Sequence, residues 1–199
     1  MNFAVLASGH GSNLQAIINA ARAGRIKADL KVVISDKKDA YALKRALRAK
    51  IPAIYINPHD FSDRESFDRA LAGHLRKFKI DFVVLAGYMR LLSRYFIRQY
   101  PNKILNIHPS LLPAFKGLHG TKDAFDYGVK VTGPTVHFVI DEVDAGMIVL
   151  QEPVRIEAKD TLETLERKIH KAEHRIYPKA IDLFARGKLK IIGRKVAIV

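Results

Sequence analysis

The chain has 199 residues, of which 48% are hydrophobic, and a formal net charge of +14 at pH 7. This length and composition predict one globular domain with a sizeable core and argue against a disordered chain. The absence of cysteine excludes disulfides, thiolate nucleophiles and cysteine metal sites. No apolar stretch approaches the roughly 20 residues of a membrane span, and the N-terminus lacks the pattern of a signal peptide. We therefore expect a soluble cytoplasmic protein that has no membrane partner.

The basic excess allows two interpretations. One is a nucleic-acid partner, which a strongly positive chain would attract. However, the basic residues are spread along the chain, as in Lys44-Arg45, Arg76-Lys77 and Arg167-Lys168, which lie in predicted helices. A solvated surface that also steers small anionic substrates explains such a distribution better. We predict no specific nucleic-acid partner, and the chain is expected to be a monomer or a homodimer.

Short apolar strands alternate with helical patterns through the first half of the chain. The predicted strands are Asn2–Ala7, Leu30–Ser35, Ala53–Ile56, Asp81–Ala86 and Ile104–His108. The predicted helices are Leu14–Ala23, Ala40–Lys50, a helix capped by Ser62 or Asp63 that runs to Lys77, and Leu91–Gln99. Because the strands are apolar throughout, this alternation predicts an α/β domain with a mostly parallel, Rossmann-like sheet that is covered by helices on both faces.

The second half of the chain has a different pattern. Thr132–Ile140 and Met147–Glu157 flank a turn and are predicted to pair as antiparallel strands. Thr161 is expected to cap a long helix from Leu162 to about Arg186. Leu189–Ile192 and Lys195–Val199 are predicted to form a hairpin. Since no linker or repeat interrupts the chain, we expect a single domain over residues 1–199 with antiparallel strands toward its C-terminus.

The turn after the first strand is a candidate anion site. Gly9-His10-Gly11-Ser12-Asn13 opens the first predicted helix, and the N–H groups and dipole at a helix N-terminus favour an anion. Leu14 stands where a dinucleotide-binding fingerprint has its third glycine. No Gly-Lys-Ser/Thr follows, so a nucleoside-triphosphate loop is not indicated. A phosphate monoester fits this turn better, and a plain tight turn capped by Ser12 or Asn13 is the alternative.

The strand that ends in Asn106-Ile-His108 is a candidate catalytic segment. Alternate residues on a strand share a face, and Pro109 then ends the sheet pairing. An amide donor beside an imidazole suits an oxyanion and a moving proton, although a buried His–Asn pair without a catalytic role remains an alternative. Asp144 could orient the His108 ring and keep it protonated. Without the other motifs, residues 141–144 would be interpreted as an acidic turn.

His170-Lys-Ala-Glu-His174 matches the pattern of two histidines and a glutamate found in zinc proteases. A catalytic zinc needs a third protein ligand, and the remaining chain offers no evident candidate. We therefore expect no metal at this segment. The preferred interpretation is a helix whose Glu173 faces a cleft while a histidine contacts the substrate.

Five segments together resemble the phosphoribosylglycinamide formyltransferase family, which uses 10-formyltetrahydrofolate in purine synthesis. These segments are Ala7–Gln15, Ala86–Leu92, Ile104–Pro113, Gly133–Phe138 and Asp144–Gly146. They occur in the family's order between residue 2 and about residue 193. The resemblance implies the formyltransferase fold, with residues 1–100 as a phosphate-binding half and residues 101–199 as a folate-binding and catalytic half. It also implies two small-molecule substrates, 5-phosphoribosylglycinamide and 10-formyltetrahydrofolate, and no metal.

The resemblance also assigns expected roles to individual residues. The catalytic trio is matched by Asn106, His108 and Asp144. The substrate contacts are matched by Gly11, Ser12 and Asn13 for the phosphate, by His170 and Glu173 for the ribonucleotide, and by Arg64, Met89, Arg90, Leu91, Leu92, Asn106 and Asp141 for the folate. His119, Thr135 and His137 fall near the catalytic centre. The implied mechanism has Asn106 stabilising an oxyanion, and His108 acting as a protonated general acid held by Asp144.

The chain departs from the family pattern at Lys116, Gly120 and Met147. The first two lie on a loop between the expected sites, whereas Met147 could reshape the loop that meets the pterin. Other members of the superfamily remain alternatives. Formyltetrahydrofolate deformylase has an additional N-terminal domain, and methionyl-tRNA formyltransferase has an additional tRNA-binding domain, neither of which is expected here. A non-catalytic RNA-binding module is the alternative from a different class, and only the net charge supports it.

Overall fold

The computed structural model describes every residue of the chain, 1–199. Its strands are β1 (Asn2–Leu6), β2 (Asp29–Ser35), β3 (Ala53–Tyr55), β4 (Phe82–Leu85), β5 (Ile104–His108), β6 (Val131–Thr132), β7 (Thr135–Phe138), β8 (Ile148–Gln151), β9 (Val154–Arg155), β10 (Leu189–Ile192) and β11 (Lys195–Ile198). Its helices are α1 (Ser12–Arg22), α2 (Tyr41–Arg48), α3 (Arg64–Lys77), α4 (Arg94–Gln99), α5 (Gly120–Tyr127) and α6 (Leu162–Ala185), and a short 3-10 helix spans Pro58–Asp60. None of these helices has both the length and the apolar character needed to cross a membrane. The alternation of strands and helices confirms the α/β prediction.

The main sheet has seven strands in the order β3-β2-β1-β4-β5-β7-β8. Strands β1 to β5 pair in parallel, whereas β7 pairs antiparallel to β5 and to β8. The chain passes outward from β1 to β3 and then returns to β4 on the other side of β1. This change of direction is a topological switch point, where ligands of open α/β sheets bind at the carboxyl ends of the strands. The loops after β1, β4 and β5 are therefore neighbours at that edge.

Two apolar cores cover the two faces of the main sheet. Helices α1, α2 and α6 contribute to one core, and α3 and α4 contribute Phe67 and Phe96 to the other. Tyr177 of α6 is completely buried, and its hydroxyl oxygen lies 2.7 Å from the Leu85 carbonyl and 3.0 Å from the Leu105 carbonyl. One hydroxyl of α6 thus contacts β4 at its last residue and β5 at its second residue, and it joins the helix to both strands.

Two predicted strands are interrupted by proline. The bounds predicted for Thr132–Ile140 are wrong, because Gly133 and Pro134 separate β6 from β7. Proline has no N–H to donate to a neighbouring strand. A Cβ at Gly133 would lie 2.0 Å from the Glu152 carbonyl oxygen, so this position requires glycine. Pro153 separates β8 from β9 in the same way within Met147–Glu157. The antiparallel pairing is confirmed, since β7 pairs with β8 while β6 and β9 form a separate small sheet.

Two helices differ from the sequence prediction. The helix predicted over Leu91–Gln99 starts later, at Arg94, because the Ser93 side chain caps its first turn. The residues before Ser93 therefore lie in an open loop. Helix α5 is an addition that the sequence does not predict. No side chain caps its start, and its buried side is short, with Thr121 and Ala124 as the main side chains.

The C-terminal elements agree with the prediction. The Thr161 side chain accepts a hydrogen bond from the Thr164 N–H at 3.2 Å, and α6 follows without a break to Ala185. Strands β10 and β11 form the predicted antiparallel hairpin around Gly193-Arg194. The fold prediction of a single α/β domain is therefore confirmed.

Candidate active site

One cleft of about 1280 Å³ opens beside the loops that follow β1, β4 and β5. The loop between β7 and β8 and one side of α6 complete its walls. It is lined by every residue to which the sequence assigns a catalytic or binding role: Gly11, Ser12, Asn13, Arg64, Met89, Arg90, Leu91, Leu92, Asn106, His108, Asp141, Asp144, His170 and Glu173. The structure therefore brings both halves of the chain to one site. The roles of the individual residues, and the division into two halves, stay predictions.

Helix α1 begins at the cleft without a side-chain cap. Its N-cap residue is Gly11, with a φ of 74°, and no side chain accepts a hydrogen bond from the first turn. The alternative in which Ser12 or Asn13 caps the helix is therefore wrong. A Cβ at Gly11 would lie 2.9 Å from Ala42, so both the backbone conformation and the available space require glycine. The N–H groups of the first turn have no partner within the helix, and they can receive an anion.

A hydrogen bond joins α1 to α6 across the cleft. Asn13 Nδ2 donates to Glu173 Oε2 at 2.9 Å, while Asn13 Oδ1 has no protein partner. Burial raises the pKa of the Glu173 carboxyl, against the opposing effects of the Asn13 hydrogen bond and the positive field of His170. The rings of His170 and His174 stack with their centroids 6.5 Å apart. Glu173 therefore faces the cleft, as predicted.

Asn106 and His108 lie on one face of β5, as strand alternation predicts. On the adjacent strand β7, His137 is opposite Asn106, and Thr135 is opposite His108. His137 Nδ1 lies 2.9 Å from the Phe138 carbonyl, and its Nε2 lies 3.2 Å from Asn106 Nδ2. Because a carbonyl only accepts, the proton of the neutral ring is on Nδ1, and Nε2 accepts from the Asn106 amide. The neighbouring strand thus orients the Asn106 side chain.

Both nitrogens of the buried His108 ring face hydrogen-bond acceptors. Nε2 lies 2.7 Å from the Phe115 carbonyl, and Nδ1 lies 3.3 Å from Asp144 Oδ2. The same carboxylate oxygen accepts from the Gly117 N–H at 2.9 Å, and Asp144 Oδ1 lies 3.5 Å from His137 Nε2. The Asp144 carboxylate is therefore placed between two imidazoles, and the three side chains of the predicted trio are close together.

Opposing effects act on the pKa of His108. Burial lowers the pKa of the ring, whereas the Asp144 carboxylate and the Phe115 carbonyl raise it. The protonated form of His108, held by Asp144, stays a prediction, and the two acceptors that face the ring nitrogens suit that form. Burial also opposes the ionisation of Asp144. The contact with the His137 ring, the hydrogen bond from the Gly117 N–H and the interaction with His108 outweigh that effect and lower the pKa of Asp144.

The loop after β4 is attached to the loop after β1. Ser8 Oγ donates to the buried Asp36 carboxylate at 2.5 Å and accepts from the Met89 N–H at 2.9 Å. The guanidinium of Arg90 lies 4.5 Å from the centroid of the Phe67 ring. These contacts hold the backbone of Met89 and the guanidinium of Arg90 in place. Both residues belong to the segment that the sequence assigns to folate binding.

Four apolar side chains are exposed around the cleft. Met89, Leu91, Leu118 and Val143 have exposed fractions of 61%, 54%, 77% and 46%, and all four line the cleft. Arg64, which is also exposed, adds a cation to the same wall. Exposed apolar side chains that lie together mark a binding surface. This part of the cleft suits a flat, largely apolar ligand that also carries negative charge.

The cleft also contains residues that the sequence did not assign. Lys122 lies on α5, a helix that sequence reasoning missed, so its position could not be anticipated. Glu166 could have been found, because it precedes His170 by one turn of the same helix and follows the spacing of His170 and Glu173. The contact between the Phe115 carbonyl and His108 could not be predicted from the sequence, because it depends on the path of a loop.

An amide, an imidazole and a carboxylate at the switch point of a mostly parallel sheet define an α/β enzyme of the Rossmann-like class. The family model described as "Formyl transferase" matches residues 1–181. The chain therefore belongs to the formyl transferase family.

Individual relatives agree with this assignment. The glycinamide ribonucleotide transformylase 1 of Symbiobacterium toebii is a solved structure with a TM-score of 0.98 and 52% identity, over 100% of this chain and 94% of that chain. The phosphoribosylglycinamide formyltransferase of Escherichia coli is 44% identical over 96% of this chain and 90% of its own length. The trifunctional purine biosynthetic protein adenosine-3 of Bos taurus is 47% identical over 94% of this chain, which spans only 19% of that relative's length.

Proposed function

We propose that this protein transfers the formyl group of 10-formyltetrahydrofolate to the amine of 5-phosphoribosylglycinamide. The products are formylglycinamide ribonucleotide and tetrahydrofolate, in a step of purine (IMP) biosynthesis. One observation carries the proposal: Asn106, His108 and Asp144 line the same cleft as an uncapped helix N-terminus. The Escherichia coli and Symbiobacterium toebii relatives, which are named for this acceptor, support it.

The two substrates would approach the catalytic centre from opposite sides. The ribonucleotide phosphate would bind at residues 11–13, and His170 and Glu173 would contact the rest of the ribonucleotide. Glu173 would then exchange its Asn13 partner for hydroxyl groups of the substrate, since it already accepts a hydrogen bond in the cleft. The folate would lie along residues 89–92, where apolar side chains and Arg64 form the wall, with Asp141 at the far end.

Formyl transfer begins when the amine nitrogen attacks the formyl carbon. A carbon–nitrogen bond forms, and the carbonyl electron pair moves to the oxygen. Asn106 Nδ2 and the N–H of His108 are the donors for this oxyanion. In the resting centre these donors face His137 Nε2 and the Phe115 carbonyl, so each exchanges one acceptor for another. Donors that are already oriented in a buried site need little reorganisation during the reaction.

In this proposal His108 acts in its protonated form, held by the Asp144 carboxylate. An acceptor faces each ring nitrogen, which suits the doubly protonated ring. A developing oxyanion adds negative charge beside the ring, which raises the pKa of His108 during the reaction and favours that form. The attacking amine loses its proton to the folate nitrogen through a water molecule. The bond between that nitrogen and the formyl carbon breaks at the same time, and the formyl carbonyl re-forms.

A formyl-transfer assay with purified protein tests the proposal. The change in folate absorbance is followed with and without 5-phosphoribosylglycinamide. We expect turnover that requires the ribonucleotide. Folate turnover without the ribonucleotide would indicate formyltetrahydrofolate deformylase instead. The absence of turnover in both reactions would favour a non-catalytic RNA-binding module. A cytoplasmic location and a monomeric or homodimeric state belong to the same proposal.

A further inference from the structure

Arg45 of α2 contacts the loop between β1 and α1, and the first turns of α1, through the three nitrogens of its guanidinium. Nε donates to the His10 carbonyl at 2.9 Å, Nη1 donates to Gln15 Oε1 at 3.0 Å, and Nη2 lies 3.3 Å from His10 Nδ1. Arg45 takes part in none of the ion pairs of the structure. This half-buried cation therefore has only neutral partners, and its planar fork has N–H donors beyond these contacts.

The Arg45 contact determines which nitrogen of His10 carries the proton. A guanidinium only donates hydrogen bonds, so His10 Nδ1 is the acceptor and the proton of the neutral ring lies on Nε2. The His10 ring also stacks on Tyr41, with centroids 5.2 Å apart and an angle of 13° between the planes. Nε2 makes no hydrogen bond within the protein, and His10 lines the cleft beside Gly11. The ring is thus an oriented donor at the start of α1.

Other basic groups lie near the same turn. Ser12 also lines a smaller cavity of about 370 Å³, together with Arg25, Arg45 and His174. Burial lowers the pKa of the His174 ring, and the positive charges of His170 and Arg45 lower it further. The two guanidinium groups repel each other in the resting protein. A phosphate dianion bound at the start of α1 would offset that repulsion.

We propose that Arg45 is a positioning residue that determines the affinity for the phosphate of the acceptor. Its fork holds the His10 carbonyl and Gln15 together, which keeps the loop in the shape that receives a phosphate, and it aligns the His10 Nε2–H as a further donor. This inference rests on the proposed function, in which residues 11–13 bind the ribonucleotide phosphate.

The first test compares Arg45→Gln with Arg48→Gln. We expect Arg45→Gln to raise the KM for 5-phosphoribosylglycinamide about tenfold, because the loop loses the charge-assisted hydrogen bonds that hold it in the shape that receives the phosphate. The kcat and the KM for 10-formyltetrahydrofolate should stay within about twofold of wild type, because Arg45 contacts neither the reacting atoms nor the folate wall. Arg48 is a matched control on the same helix: it lies 5.5 Å from the Tyr41 ring and donates to the Tyr41 hydroxyl at 2.7 Å, and it makes no hydrogen bond to the loop. Arg48→Gln should behave as wild type.

Arg45→Lys separates positioning from charge. The ammonium keeps the positive charge but cannot contact the His10 carbonyl, His10 Nδ1 and Gln15 together. We therefore expect Arg45→Lys to resemble Arg45→Gln. Wild-type kinetics for Arg45→Lys, or equal KM values for Arg45→Gln and Arg48→Gln, would overturn the proposal. So would an equal rise in the KM for the folate, which would indicate general damage to the cleft.

Two further measurements distinguish this inference from the proposed function. Glycinamide ribonucleoside, which lacks the phosphate, should lose little kcat/KM in Arg45→Gln, so the preference for the phosphorylated acceptor should fall about tenfold. Calorimetric titration with inorganic phosphate gives a readout without catalysis, in which wild type and Arg48→Gln should bind more tightly than Arg45→Gln. If wild type transfers no formyl group, the proposed function fails, and the phosphate titration still decides the role of Arg45. Equal phosphate affinity in all three proteins would overturn that role.

Discussion

Asn106 is the side chain whose removal tests the oxyanion step most directly. In Asn106→Ala the oxyanion loses one oriented donor, so we expect kcat to fall on the order of 100- to 1000-fold. The KM for 5-phosphoribosylglycinamide should change little, because the hydrogen bond to the oxyanion strengthens only as the charge develops. Steady-state kinetics with both substrates measure the effect. Asn19→Ala, an exposed change on α1, is the control. His108→Ala should cost as much or more, and near-normal turnover in either variant would contradict these roles.

The protonated state expected of His108 gives a prediction for the dependence of kcat on pH. A ring that acts as an acid is inactive once it has lost its proton, so kcat should fall as the pH rises through the pKa of the ring. Burial lowers that pKa and Asp144 raises it, so Asp144→Asn should shift the basic limb of the profile to lower pH, in addition to reducing kcat.

The pH profile of kcat for wild type and Asp144→Asn measures this shift. Asp144→Glu is the control, because it keeps a carboxylate near the ring. A kcat that falls instead as the ring gains its proton would contradict the protonated form. If the limb of the pH profile has the same position in wild type and Asp144→Asn, the carboxylate of Asp144 does not influence the pKa of His108.

At the scale of the element, the start of α1 depends on glycine for two reasons that can be separated. Gly11 and Gly24 both have positive φ, 74° and 69°, but only at Gly11 would a Cβ meet another residue, Ala42 at 2.9 Å. Both alanine variants should lose stability from backbone strain of about 1 kcal/mol. Gly11→Ala should in addition displace the loop and raise the KM for the ribonucleotide.

Urea denaturation and steady-state kinetics on the two glycine variants measure these effects. Gly24→Ala lies at the other end of α1, in open space, and should keep the wild-type KM. If the two variants have the same KM for the ribonucleotide, the packing of Gly11 against α2 has no role in substrate binding.

The sequence predicts most elements because local patterns determine them. Apolar runs mark β1 to β5, and alternation along β5 is enough to place Asn106 and His108 on one face. The break at Gly133 and Pro134 could have been recognised, since proline has no N–H for a ladder. Other features depend on tertiary structure. The effect of burial on the pKa of His108 is one of them, because a sequence does not display burial. The contacts of Arg45 depend on the packing of α2 against the first loop.

The net charge of +14 acts at the scale of the whole molecule. A positive field around a cleft accelerates the encounter with anionic substrates, and salt screens it with a Debye length of about 10 Å at 0.1 M. We expect kcat/KM for 5-phosphoribosylglycinamide to fall as ionic strength rises, while kcat stays constant. Steady-state kinetics in a salt series measure this, with glycinamide ribonucleoside, which lacks the phosphate dianion, as the less sensitive control.

The same charge predicts how the protein behaves toward RNA. Non-specific binding should be weak and lost at modest salt, because it depends on counterion release alone. Fluorescence anisotropy with a labelled single-stranded RNA measures the affinity and its salt dependence. Tight binding that persists at physiological salt would instead favour the RNA-binding module, and it would have to be explained by a surface separate from the cleft.

The position of β1 in the main sheet has a consequence for folding. Its partners are β2 and β4, so the strand nearest the N-terminus is completed only when the segment ending at Leu85 is available. Parallel pairing across such sequence distances requires large loops to close before contacts compensate for the lost chain entropy. During synthesis, one edge of β1 therefore stays unpaired until β4 has been made. Chains released before that point would expose this edge to pairing with other chains.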